Sequence, residues 1–182
     1  ITVSADELLD CGAIIPPTVN VHTVDTVRTR EEVADIDAET VLRVIQADDA
    51  ERVLVSAPSA RIINAMMAFT DLFRDLRQAD YNVMTITSKH GAIINGKKVS
   101  RTQFFETLDN FSNTGQKFVL FHYSILSEGI NVHGLTNVVL LRNLSTVEMA
   151  QTIGRVIRLD TQDRNNISNG TLTPRAYHNY NK

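Results

Sequence analysis

Four short apolar runs, separated by stretches of helical spacing, restrict this chain more than any other feature. The runs lie at 52–56, 81–87, 117–122 and 137–141. The first, Arg52-Val53-Leu54-Val55-Ser56, is most simply a buried parallel strand, and the other three read as strands as well. After the first run, Pro58 turns the chain and Ser59 is placed to cap a helix. That helix is predicted to continue to about Gln78, with Ile62, Met66, Phe69, Phe73 and Leu76 on one stripe. After the second run, Asn95-Gly96 signals a tight turn between short extended arms, and Ser100 caps a helix carrying Phe104, Phe105, Leu108 and Phe111. After the fourth, Ser145 or Thr146 caps a last helix reaching about Arg158. Residues 29–49, ahead of the runs, read as a helix whose acids form a solvated face. Residues 1–23 read as a leading segment in which Pro16-Pro17 bars a helix and Val19-Asn20-Val21-His22 alternates as a short strand does. Beyond Asp160 the chain is polar, with too few apolar residues to hold structure alone. The alternation predicts an α/β fold: three layers, a mainly parallel central sheet and flanking helices joined by right-handed crossovers.

Composition narrows the class. The 182 residues suffice for one domain with a sizeable core, and 43% hydrophobic with 21% charged residues exclude a disordered or fibrous chain. The single cysteine, Cys11, excludes an internal disulfide and sits in no basic surroundings that activate a thiol. His22, His90, His122, His133 and His178 lack metal-ligand spacing. No apolar run approaches the roughly 20 residues of a membrane span. The start is polar and acidic, so no signal or transit peptide is expected, and a first residue Ile1 reads as a cut within a longer chain. With 18 basic and 21 acidic residues the net charge of −3 argues against strong sequence-independent binding of nucleic acid by the chain as a whole, leaving local basic clusters to be judged singly.

Ligands of such folds sit beyond the carboxyl ends of the strands, which directs attention to the loops after Val55, Ile86, Phe121 and Leu141. Residues 91–98 match most of a phosphate-loop pattern but place Lys98 where a magnesium-binding Ser or Thr is required, so a hairpin through Asn95-Gly96 is expected instead. Its Lys97 and Lys98, with Arg101, read as a solvated basic turn. At roughly 100° per residue, Gln151, Gly154, Arg155 and Arg158 share one face of the last helix, opposite Met149, Ala150, Ile153, Val156 and Ile157. Two guanidiniums about a turn apart suit a polyphosphate, which each can grip in a fork; the helix alone is also compatible with two solvated surface arginines. The loop 124–131 offers hydroxyls at Ser124 and Ser127, close approach at Gly129 and an amide at Asn131.

Together these stretches resemble the superfamily 2 helicases and translocases. Residues 124–131 resemble their motif V, and Gln151-Thr152-Ile153-Gly154-Arg155-Val156-Ile157-Arg158 resembles their motif VI. Residues 52–59 resemble the motif IV strand and turn, and Ser88-Lys89-His90-Gly91 stands where the family has a loop that contacts nucleic acid. The likeness covers roughly residues 50–160 in the family's order.

The resemblance implies a RecA-like fold and the second of two motor domains, with ATP in the cleft between them. It implies an incoming linker and first strand at 1–25, the domain itself at 26–160, and an outgoing polar segment at 161–182. ATP and Mg2+ would be held mainly by the missing first domain, which is one partner; single- or double-stranded nucleic acid, DNA slightly favoured over RNA, is the other. By position, Arg155 and Arg158 match arginines that reach the γ-phosphate, with Arg158 as the arginine finger, and Gln151 matches the polar residue beside them. Gly129, Asn131 and Gly154 fall to the nucleotide, with Asn131 standing where many relatives carry Asp. Ser59, Lys89, His90 and Ser124 fall to the phosphodiester backbone. The parent protein would then be a nucleic-acid-stimulated ATP hydrolase, intracellular and either cytoplasmic or nucleoid-associated, and the isolated fragment inactive. A non-catalytic clamp that keeps the fold without turnover is the alternative, and the presence of both arginines favours the motor.

Overall fold

The computed structural model describes residues 4–15, 17–21, 29–47, 49–123, 132, 134–141, 152–154, 157–159 and 161–174. The elements are α1 (Ala5–Asp10), α2 (Arg30–Ala47), β1 (Arg52–Ser56), α3 (Ala60–Phe69), α4 (Leu72–Gln78), β2 (Asn82–Thr87), β3 (Gly91–Ile94), β4 (Lys97–Val99), α5 (Arg101–Thr114), β5 (Phe118–His122), β6 (Asn137–Leu140) and α6 (Thr161–Ser168). Six strands form one sheet in the order β4-β3-β2-β5-β1-β6. The four apolar runs supply β1, β2, β5 and β6, and every pairing among them is parallel. The Asn95-Gly96 turn adds β3 and β4 antiparallel at one edge.

Side chains alternate across the sheet and divide the core in two. Val53, Val55, Val83, Val119, Phe121 and Val139 face the layer of α2, α3 and α4. Leu54, Met84, Ile86, Phe118 and Leu120 face the other side, where α5 contributes Phe104 and Leu108. Phe104, Phe118 and Phe121 are fully buried, and burial of each is worth about 3 kcal/mol. Phe73 of α4 stacks on Phe121 with ring centroids 4.7 Å apart, which fastens the helix layer to the middle of the sheet.

Helix starts follow the capping residues. Ser59 and Ser100 accept from Ile62 N–H and Gln103 N–H at the starts of α3 and α5. Thr29 and Glu32 form a reciprocal box before α2, whose Ala34, Ala38, Val41 and Ile45 are buried while Glu31, Glu32, Asp35 and Glu39 are exposed. Ser4 and Glu7 repeat the box at α1, and those hydrogen bonds hold the Glu7 carboxyl below its usual range.

Three expectations are corrected. The helix from Ser59 does not reach Gln78 unbroken. Thr70 is extended, its hydroxyl donates to the Met66 carbonyl at 2.7 Å and accepts from the Leu72 N–H at 3.3 Å, so one side chain ends α3 and opens α4. Val19-Asn20-Val21 is not a strand: Val19 and Val21 are 70% and 88% exposed and pair with no strand among the described residues, while His22 lies outside them. The chain before Val19 holds α1. The polar stretch after Asp160, expected not to hold structure alone, is helical with support from elsewhere in the chain. It forms α6, steadied by buried Leu159 and Leu172 and by Ile167 lying against Gly12. Finally, the last helix stops short of Arg158. Residues 152–154 are helical and Ile157 N–H still reaches the Ile153 carbonyl, but Arg158 stands in an antiparallel bridge with Ile14. The helical projection that put Arg158 on one face with Gly154 therefore does not apply to it.

Candidate functional site

The carboxyl edge of the parallel sheet is levelled by backbone bonds. Ser56 is in register with His122 on one side and Leu140 on the other. Just past the strands, Ala57 N–H donates to the His122 carbonyl and Leu141 N–H donates to the Ser56 carbonyl, both at 3.0 Å. The loops after β1, β5 and β6 thus leave the sheet side by side.

Ser59 follows β1 at this edge, extended and half-buried, with its Oγ accepting from Ile62 N–H at 3.4 Å. That bond uses a lone pair, so the hydroxyl proton remains able to donate outward. At the end of β2, the buried Thr87 accepts from the His90 N–H at 3.1 Å through its Oγ1. This folds Ser88, Lys89 and His90 into an exposed turn before Gly91, whose φ of +72° re-enters the sheet as β3. Lys89 makes no ion pair among the described residues. β1 and β2 flank β5, so at ordinary strand spacing the strands that lead into the Ser59 and Lys89-His90 turns run about 10 Å apart. Between them the chain leaves β5 through buried His122 and partly exposed Tyr123. From sequence, His122 is weighed only as a metal ligand and Tyr123 is not singled out.

The hairpin points away from this edge. Asn95 and Gly96 have φ of +49° and +81°, as a mirror-image two-residue turn requires. Asn95 Oδ1 accepts from Val83 N–H at 2.8 Å, so the turn sits at the amino end of β2. Residues 91–98 are thus strand, turn and strand, not a cradle between a strand and a helix.

Arg158 is held elsewhere. Its neighbour Ile157 donates its N–H to the Ile153 carbonyl at 3.2 Å and accepts at its own carbonyl from Ile15 N–H at 2.9 Å. Leu159 is buried, whereas Arg158 between them is exposed. Gly154 is helical and partly exposed, and a Cβ added there meets nothing within 4 Å. Packing within the described residues gives no reason for glycine at that position. Of the other expected site residues, Ser124, Gly129, Asn131, Gln151 and Arg155 lie outside the described residues, as does the capping position at Ser145 or Thr146. Among the described residues no three His, Cys, Asp or Glu side chains gather as a metal site, and no helix is long and apolar enough to cross a membrane.

The family model of the helicase conserved C-terminal domain matches residues 37–160, from α2 through the last motif. The chain belongs to this family. As a helicase C-terminal domain it has the RecA-like fold that the motif order implied, with four parallel strands, flanking helices and a hairpin added at one edge. It is similar to the solved C-terminal part of the Fun30 ATPase domain at 15% identity and a TM-score of 0.46, covering 69% of this chain and 36% of that one. It is also similar to the Pyrococcus furiosus Hef helicase domain at 17% identity and a TM-score of 0.41, covering 69% of this chain and 23% of that one. The helicase C-terminal domain thus spans well under half of either solved chain. No curated protein matches it.

Proposed function

We propose that this helicase C-terminal domain is the second motor domain of an ATP-dependent superfamily 2 nucleic-acid helicase or translocase. In this reading Arg155 and Arg158 approach the γ-phosphate of ATP bound by a first domain, and Gln151 lies beside them. The guanidiniums stabilise charge that spreads over the transferring phosphoryl group, a contribution of about 10³–10⁵ in rate for an arginine finger. Gly129 and Asn131 lie near the nucleotide. Gly154 leaves a low surface for the approach of the other domain. Ser59, Lys89, His90 and Ser124 hold one strand by its phosphates, which positions the strand without reading its sequence. Mg2+ and ATP are held mainly by the first domain in this reading.

The observation that supports the reading most directly is the setting of Arg158: exposed, between a doubly hydrogen-bonded Ile157 and a buried Leu159. A fixed root suits a finger, whose contribution to rate depends on its placement. Cleft closure then engages the arginines, and loss of the γ-phosphate releases them, so that the strand-holding loops shift with each cycle.

The reading predicts that the isolated chain hydrolyses no ATP and that covalent linkage to its first domain restores nucleic-acid-stimulated hydrolysis. Turnover by the isolated chain, measured as phosphate release and insensitive to Lys97→Ala, would defeat it.

A further inference from the structure

Residues 4–15, 157–159 and 161–174 form a ring of contacts beside Arg158. The last carbonyls of any helix have no partner further along it. The Ile157 carbonyl is taken instead by Ile15 N–H at 2.9 Å, within the bridge that pairs Ile14 with Arg158. That carbonyl lies in the same peptide plane as the N and Cα of Arg158, so a bond to it orients Arg158 directly.

The strap that supplies the bond is itself anchored. Ala13 N–H donates to the Leu8 carbonyl at 2.8 Å, closing α1 onto the strap. Gly12 has φ +69°, and a Cβ there would stand 2.7 Å from Ile167 Cδ1 and 3.3 Å from Pro174 Cγ. The strap backbone therefore lies flat on α6, and α6 follows Arg158 through buried Leu159. From Arg158 the ring runs through Leu159, α6, Ile167, Gly12 and Ile15 back to Ile157.

We propose that this strap is a positioning element of the motor: Gly12 and Ile15 set the direction in which Arg158 leaves the surface. The inference rests on Arg158 being the finger. A guanidinium misplaced by about 1 Å forfeits about 10²-fold in rate, so a ring that fixes its root acts on turnover and not on nucleotide affinity.

The test uses the full-length motor with Gly12→Val, which introduces both the clash and the backbone strain, and Ile15→Pro, which removes the donor and fixes the local backbone. Arg158→Ala is the reference. The strap variants are expected to lower kcat about 10-fold or more while KM for ATP stays within about twofold. Combining Gly12→Val with Arg158→Ala is expected to lower the rate no further than Arg158→Ala alone, because both act through one group. In Gly12→Val, amide hydrogen exchange at Ile15 verifies that the strap is released. In Ile15→Pro the bond is absent because proline has no N–H, and exchange at Ala13, bonded to the Leu8 carbonyl, reports the strap. A normal kcat with the strap released, or losses that multiply in the double variant, overturns the proposal. Global unfolding of both strap variants also overturns it, since the strap is then a folding element. A normal rate in Arg158→Ala overturns the finger assignment and this proposal with it, a result distinct from a strap that is idle beside a slow Arg158→Ala.

Discussion

Ala57 donates its backbone N–H to the carbonyl oxygen of His122 at 3.0 Å, one residue past the last register pair of β1 and β5. The bond carries the parallel ladder beyond the strands and sets where Pro58 and Ser59 emerge. It also fixes the exit of the chain from β5, which runs through Tyr123 toward residues 124–131. The arrangement follows from sequence: two apolar runs pair in parallel, and each ends in a polar residue at the same edge.

Ser59 caps α3 at that edge. Ser59→Ala removes the cap of α3 and is expected to lower stability by about 1 kcal/mol in urea unfolding. If its hydroxyl also donates to a phosphate, single-strand affinity falls, while Ser59→Thr, which keeps cap and hydroxyl, retains both. A stability loss with unchanged affinity would confine Ser59 to capping.

Lys89 is exposed, and its substitution is expected to leave stability unchanged within about 0.5 kcal/mol. Lys89→Ala in the full-length motor is predicted to weaken binding of unrelated single strands equally and to reduce the salt slope of log K by about 1. Losses that differ strongly between strand sequences would contradict a backbone contact.

The central sheet was legible because burial on both faces leaves no freedom in residue choice: β1 lies where Arg52 to Ser56 predicted it, and β2, β5 and β6 differ from the apolar runs by a residue at an end. The hairpin was legible because only residues that accept positive φ, such as Asn95-Gly96, suit a two-residue turn. The break at Thr70 was not, because the apolar stripe of α3 continues in phase into α4 and the decisive event is a threonine hydroxyl bonding its own backbone. Nor was α6, whose polar sequence Thr161–Ser168 gains its support from Gly12, about 150 residues earlier in the chain. Pairings at that distance leave no local pattern. Of the candidate site, motif order located Ser59, Lys89 and His90 on one sheet edge, but the helical projection mistook the setting of Arg158, whose root is fixed by Ile14 and Ile15.

Gly154 separates a packing role from a functional one. A Cβ meets nothing within 4 Å there, so Gly154→Ala is expected to leave the fold intact and to raise stability by about 0.5–1 kcal/mol through helix propensity. In the full-length motor the same methyl group obstructs the approach of nucleotide or first domain, and turnover is predicted to fall at least about tenfold. A more stable protein with full activity would remove Gly154 from the site.

Asp37 on α2 provides a pH test of the fold. Half-burial raises its carboxyl from the ordinary 3.8 to about 6. The folded state therefore binds the proton more tightly than the unfolded state does, and the stability this contributes is present at low pH and lost as pH rises through about 6. Asp37→Asn should flatten that decline and leave the variant more stable at pH 7.5 by about 1 kcal/mol, a figure discounted because water still reaches the carboxylate. Unfolding curves at pH 4.5 and 7.5 that shift equally in both proteins would contradict the assignment.

In the proposed motor Arg158 acts across the cleft on ATP held by a first domain. The direct measurement is single-turnover ATP hydrolysis by the full-length motor on saturating single-stranded nucleic acid, wild type against Arg158→Ala, with ATP affinity and thermal unfolding measured on the same samples. The account predicts a rate lower by about 10³-fold or more, with ATP affinity changed much less and unfolding unchanged. A rate within a few-fold of wild type would contradict it.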